Sequence, residues 1–167
     1  MAPSRHPHIV NVNDLEWIVT EHGRFGAERK AFTAPAGGRQ LGFSLYRVPP
    51  GKSAFPAHLH HANEEAIYVL SGSGTLRLGE QRHPVGPGDY IALPAGPPAH
   101  QLLNTGVAPL EYLCVSTMIH PEVSEYPDSG KFGVMTDSAP GGDKAQRRLS
   151  GFYKTADAVD YYEGEDD

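Results

Sequence analysis

Between Gly51 and Asn104 the chain carries three histidines and a glutamate whose types and spacing suit a single metal site: His58, His60, Glu65 and His100. His58 and His60 are two residues apart, so on an extended strand both imidazoles project from one face. Neutral imidazole and carboxylate together suit one divalent transition ion: iron, manganese, nickel, zinc or copper. Glu65 is the informative member. It opens the apolar run AIYVLSG, where an unpartnered carboxylate is costly to bury and a cation would neutralise it. Four protein ligands on an octahedral ion leave about two positions open. Such an ion could act as a Lewis acid toward an enolate or carboxylate, or activate oxygen if it is redox-active.

Strands must position these side chains. Turn chemistry recurs at Gly37–Gly38, Pro49–Gly51, Gly72–Gly74, Gly86–Gly88 and Pro94–Gly96. Between the turns lie RQLGFSLYRV, EAIYVLSG, TLRLGE, DYIALP, HQLLN and LEYLCVSTM, short runs rich in β-branched and aromatic residues. The pattern predicts an all-β barrel or sandwich. Glu65, Ile67 and Val69 should share an inward face, as should His100, Leu102 and Asn104. Gly72–Gly74 is expected to reverse the chain as a hairpin between AIYVL and TLRL. Residues 1–30 read as an N-terminal extension with an edge strand around Trp17–Val19, and residues 31–120 as the barrel. Residues 121–167 read as a C-terminal extension packing on it, with FGVMT and RLSGFYK as late strands and a frayed acidic end.

Composition narrows the function classes. A chain of 167 residues, 39% hydrophobic and 20% charged, is expected to form one ordinary globular domain. Its formal charge of −6, with no Lys/Arg cluster, argues against nucleic acid and anionic membrane as partners. The N-terminus lacks the apolar core of a secretory signal, so the cytoplasm is the expected location. Cys114 is the only cysteine; no intrachain disulfide can form, and a buried core position suits it better than a nucleophile's.

In these motifs the chain resembles the cupin superfamily, and within it the single-domain bacterial members. Six residues separate Gly51 from His58, four separate His60 from Glu65, and six more precede Gly72. In the second motif five residues lie between Gly88 and Pro94-Ala95-Gly96, three before His100 and three more before Asn104. The approaches to His58 and His100 are each one residue longer than the family's common pattern, an insertion a turn or bulge can absorb. Glu64 is the other nearby carboxylate, but only Glu65 stands six residues before Gly72.

The resemblance implies a double-stranded β-helix, the cupin jelly-roll barrel, with His58, His60, Glu65 and His100 as metal ligands inside its mouth. A small-molecule substrate or ligand and a homodimer are the expected partners. A dioxygenase-like reaction on a small oxygenated substrate leads, because that activity is common among related barrels. A non-redox isomerase or decarboxylase using the same ion, and a non-catalytic binding or sensing barrel, are the alternatives.

Two further residues are candidates for touching substrate. Tyr46 lies on an expected strand and contributes if it points inward. Lys131 belongs to YPDSGKFG, a turn-forming segment that could fold over the mouth and offer a positive charge to an anion. His61 breaks the parity of His58 and His60 and should point elsewhere, while Asn104 suits a turn-stabilising hydrogen bond.

Overall fold

Short β-forming runs and tight turns alternate along the chain. In the computed structural model, whose described residues are 5–165, they build two facing β walls. The strands are β1 (Ile18–His22), β2 (Phe25–Ala31), β3 (Leu41–Val48), β4 (Leu59–His60), β5 (Glu65–Ser71), β6 (Gly74–Leu78) and β7 (Gln81–Val85). They continue with β8 (Tyr90–Leu93), β9 (His100–Leu103), β10 (Leu110–Thr117), β11 (Glu122–Tyr126), β12 (Lys131–Met135) and β13 (Ser150–Lys154). One wall is a six-stranded sheet in the order β1-β2-β3-β10-β5-β8. The other combines β13-β12-β11-β4 with β7-β6-β9, and an antiparallel bridge between His58 and His100 joins the two pieces.

The core sits between the walls because the inward positions of each strand are apolar. On β5, Ile67 and Val69 are buried while Tyr68 and Leu70 face out, the period-two alternation expected of a strand with one covered face. Val48, Leu76, Leu93, Leu102, Leu110 and Tyr112 complete the packing. Asn104 is fully buried; its Nδ2 donates to the Val48 and Ala108 carbonyls at 2.7 and 2.9 Å, and its Oδ1 accepts from the Gly106 amide at 3.0 Å. It stabilises a turn, as expected. The all-β double-stranded β-helix with strands beyond the core is the fold the sequence predicts.

One expected pairing is corrected. β5 and β6 do not form a hairpin: β5 pairs with β10 and β8, and β6 pairs with β7 and β9. Gly72–Gly74 carries the chain across from one wall to the other. Gly72 has φ +82°, and a Cβ there would strike the Pro109 carbonyl and lie 2.9 Å from Leu110 Cα, so the corner needs glycine. β7, a strand the sequence did not signal, follows β6 as its antiparallel neighbour; it lies at the outer edge, where the N–H that Pro84 lacks is tolerated.

The two ends of the chain both add strands. β1 lies at the edge of the six-stranded wall, and β2, which the sequence did not signal, joins it to β3. β11 pairs with β4, placing Ser124 opposite His60, so residues beyond 120 extend the wall that carries the histidines. No helix among the described residues is long and apolar enough to cross a membrane.

Candidate metal centre

The four predicted side chains come from three neighbouring places in the fold. His58 precedes β4 and exchanges backbone hydrogen bonds with His100 at 3.0 and 2.7 Å. His60 ends β4, Glu65 begins β5 on the opposite wall, and His100 begins β9. The His58–His100 bridge fixes two imidazoles side by side, with ring centroids 4.5 Å apart. Glu65 faces them across the barrel mouth.

Donor atoms of His58, Glu65 and His100 all lie within 4.8 Å of one another. His60 stands beside this triad, with Nε2 3.7 Å from Glu65 Oε2 and its ring 5.0 Å from that of His58. Hydrogen bonds settle which nitrogen each ring turns inward. His58 Nδ1 lies 2.8 Å from the Pro56 carbonyl, which can only accept, so Nδ1 carries the proton and Nε2 keeps its lone pair. His60 Nδ1 faces Ser124 Oγ at 3.2 Å and Glu122 Oε2 at 3.5 Å, which leaves its Nε2 toward Glu65.

The electrostatics favour a cation. Burial, followed by the neighbouring His100, pushes His58 down to about 4, so this imidazole is neutral near pH 7. Burial acts to raise Glu65, but the imidazoles of His100, His60 and His58 outweigh it and hold the carboxyl below its usual range. For His60, burial is likewise outweighed, here by Glu122 and Glu65, and its pKa is raised. His100 Nε2 is buried and, although 3.3 Å from Glu65 Oε2, has no hydrogen-bond partner of acceptable geometry among the described residues. An orphaned imidazole nitrogen beside a carboxylate and the neutral imidazole of His58 is what a divalent transition ion would satisfy. The donor set fits such an ion.

The cluster lies on the wall of a cavity of about 920 Å³. Tyr46 is on that wall, stacked on Tyr112 with centroids 5.3 Å apart and edge-on to Phe55. Lys131 is not among the lining residues. Its Nζ lies over the Tyr126 ring at 5.3 Å and the Phe152 ring at 5.9 Å, so the turn directs this charge onto aromatic faces. The Pro127–Ser129 turn beside it is tied to β6 by Arg77, whose two terminal nitrogens donate to Asp128 at 2.7 and 2.9 Å. His61 points away from the cluster and pairs with Glu125 at 2.6 Å. Cys114 also faces the cavity, and burial raises it so far that it remains a thiol.

Sequence reasoning missed the residues behind His60. Glu122 is completely buried and accepts from the backbone N–H groups of His61, Ala62 and Asn63 and from the Asn63 side chain. Burial works to raise it, but His60 and these hydrogen bonds bring it down to about 2. The available signal was the alternation Glu122, Ser124, Tyr126 in EVSEY, three polar or amphipathic residues on one strand face. Arg29 was missed too, and it also lines the cavity.

Comparison with known proteins places these features in context. A family model described as a cupin domain matches residues 44–116. Over 81 residues the chain is 38% identical to quercetin 2,3-dioxygenase of Bacillus subtilis, a match covering 47% of this chain and 24% of that protein. A 38% match over 69 residues to an uncharacterised Methanocaldococcus jannaschii protein covers 54% of that relative, so the chain spans about half or less of the curated relatives it matches. Solved structures match over far more of its length. A candidate sugar phosphate isomerase of Acidithiobacillus ferrooxidans superposes with TM-score 0.76 and 26% identity, covering 92% of this chain and 96% of that one. A cupin-superfamily sugar phosphate isomerase of Silicibacter pomeroyi gives TM-score 0.74 and 26% identity, covering 90% and 94%.

Proposed function

Because the chain belongs to the cupin superfamily and gathers three imidazoles and a carboxylate at one cavity, we propose that it is a metal-dependent isomerase of a small sugar or sugar phosphate. The observation that carries this reading is the extent of the likeness. The isomerase structures match at least 90% of the chain, which takes in much of the C-terminal segment that walls the cavity with Tyr126, Met135 and Ser138. The dioxygenase match of 81 residues is too short to reach from Tyr46 to Ser138.

In this reading His58, His60, Glu65 and His100 hold one divalent transition ion. Such an ion supplies Lewis acidity toward a carbonyl or enolate oxygen. The chain's own residues do the rest. Neutral His58, with its Nδ1 proton fixed on Pro56, and His60, oriented by Glu122 and Ser124, present Nε2 without rearrangement. Tyr126 lies on the cavity wall with its ring stacked on His58, centroids 5.9 Å apart. Burial and then the Glu122 and Glu65 charges raise its hydroxyl above the usual range, so Tyr126 keeps its proton and donates it in a hydrogen bond to a substrate oxygen. Ile67, Leu102, Met135 and Phe55 on the same wall exclude water from the reacting carbons.

The test is a screen of aldoses, ketoses and their phosphates in deuterated water with manganese-, iron-, nickel- and zinc-loaded protein, read by NMR. Isomerised product with deuterium at the exchanged carbon is the expected result. Conversion of no sugar by any metal form would remove the reading. The dioxygenase identity of 38% favours a second reading, oxygenation of a flavonol-type compound. Oxygen uptake by the Fe(II) form with such a compound, without sugar conversion, would put that reading first.

A further inference from the structure

Arg29 stands on the inner face of β2, directly opposite Tyr46 of β3, and its side chain lines the same cavity as the histidine cluster. A guanidinium on an inward row needs a counter-charge or several acceptors. Among the described residues Arg29 pairs with no carboxylate, and its Nε is buried without a hydrogen-bond partner. The residues on its other side, Ile18, Thr20, Ala27, Ala54 and Phe55, bring no acid. Tyr46, its cross-strand partner, lines the cavity beside it and brings a phenol, not a carboxylate.

The cavity's carboxylates are engaged elsewhere. Glu65 faces the histidines. Asp137 accepts from Thr136 Oγ1 at 2.6 Å and lies 3.9 Å from Arg148, and Asp143 accepts from the Ala145 amide at 2.9 Å. Arg39, an exposed cation on the same cavity, also lacks a carboxylate partner among the described residues. Along the six-stranded wall the Glu65 row (Leu93, Glu65, Ser116, Gly42) and the Arg29 row (Arg29, Tyr46, Tyr112, Val69) are separated by the row of Ile91, Ile67, Cys114 and Ser44. Cation and histidine cluster therefore lie apart on one cavity wall, with a mostly apolar row between.

We infer that Arg29, with the Tyr46 hydroxyl, is an anion subsite that takes the carboxylate or phosphate of a polyhydroxylated substrate whose other end reaches the histidine cluster. The inference deepens the isomerase reading and rests on it for the far end of the ligand. A planar guanidinium offers paired N–H donors matched to two oxygens of either anion, and desolvation inside the cavity strengthens the bond.

The experiment is calorimetric titration of wild type, Arg29→Met and Arg29→Lys with ribitol 5-phosphate, ribonate and neutral ribitol, none of which can be isomerised as an aldose. Each titration is repeated on metal-stripped protein. In wild type at least one anion should bind about 10- to 100-fold more tightly than ribitol. That preference should fall below about 3-fold in Arg29→Met and be partly kept in Arg29→Lys. Stronger binding of the phosphate identifies a phosphate monoester, and stronger binding of ribonate a sugar acid; either supports the subsite. Equal binding of all three compounds, or a preference that survives Arg29→Met, overturns it. If the methionine variant does not fold, the Arg29 Nε signal of labelled wild type is followed while inorganic phosphate is added. A shift is expected, and an unmoved signal overturns the inference. An anion preference that depends on Arg29, in protein that isomerises no sugar in any metal form, would leave the subsite standing and remove the isomerase reading alone.

Discussion

Glu122 Oε2 lies 3.5 Å from His60 Nδ1, delivered there by β11 as it pairs with the strand that carries the histidine. The carboxylate is fully buried, and three backbone amides point at it. It therefore fixes the tautomer of His60 and the path of the chain from His61 to Asn63.

Replacing Glu122 by glutamine keeps the shape and removes the charge behind His60. Metal affinity should fall about 10- to 100-fold, as when other buried partners of ligand histidines are changed. Competition with a fluorescent chelator measures this. An unchanged affinity in a folded Glu122→Gln protein would mean that His60 needs no orienting carboxylate.

Protonation of His58 gives a pH dependence of definite sign. Its folded value of about 4 lies below the ordinary 6.5, so the unfolded chain binds this proton first. Its contribution to stability is thus complete above pH 6.5 and is lost as the pH falls from there toward 4, by at most about 3 kcal/mol. Denaturant titrations of metal-stripped wild type and His58→Gln at pH 7.5 and 4.5 check this. Wild type should lose more stability than the variant on acidification, and equal losses would contradict it.

Asn104 serves the frame and not the centre. Asn104→Ala leaves the Val48 and Ala108 carbonyls and the Gly106 amide without their partner, and should cost about 2–4 kcal/mol. The metal content of the folded fraction should stay at the wild-type level. Loss of metal with little loss of stability would move Asn104 into the centre.

The histidine cluster was legible because its evidence is local. The parity of His58 and His60, the carboxylate opening an apolar run, and the glycines at fixed distance all sit within short stretches of chain. What stayed hidden depends on pairing across the fold. Gly72-Ser73-Gly74 has the chemistry of a hairpin, and nothing local says that the chain crosses to the other wall there. β7, with Pro84 inside it, carries no local strand signal and is recognised only by its pairing with β6. Glu122 meets His60 only through the long-range pairing of β11 with β4. Arg29 lies in a stretch with no strand signal, and only its register opposite Tyr46 sets it on the cavity wall.

The most direct test is elemental analysis of purified, metal-supplemented protein combined with an anomalous-scattering map. One transition ion per chain should appear, within about 2.0–2.3 Å of donor atoms of His58, His60, Glu65 and His100. His58→Ala and His100→Ala should each remove it. Protein that stays free of metal after supplementation, or an ion bound away from these four side chains, would contradict a metal-dependent centre here.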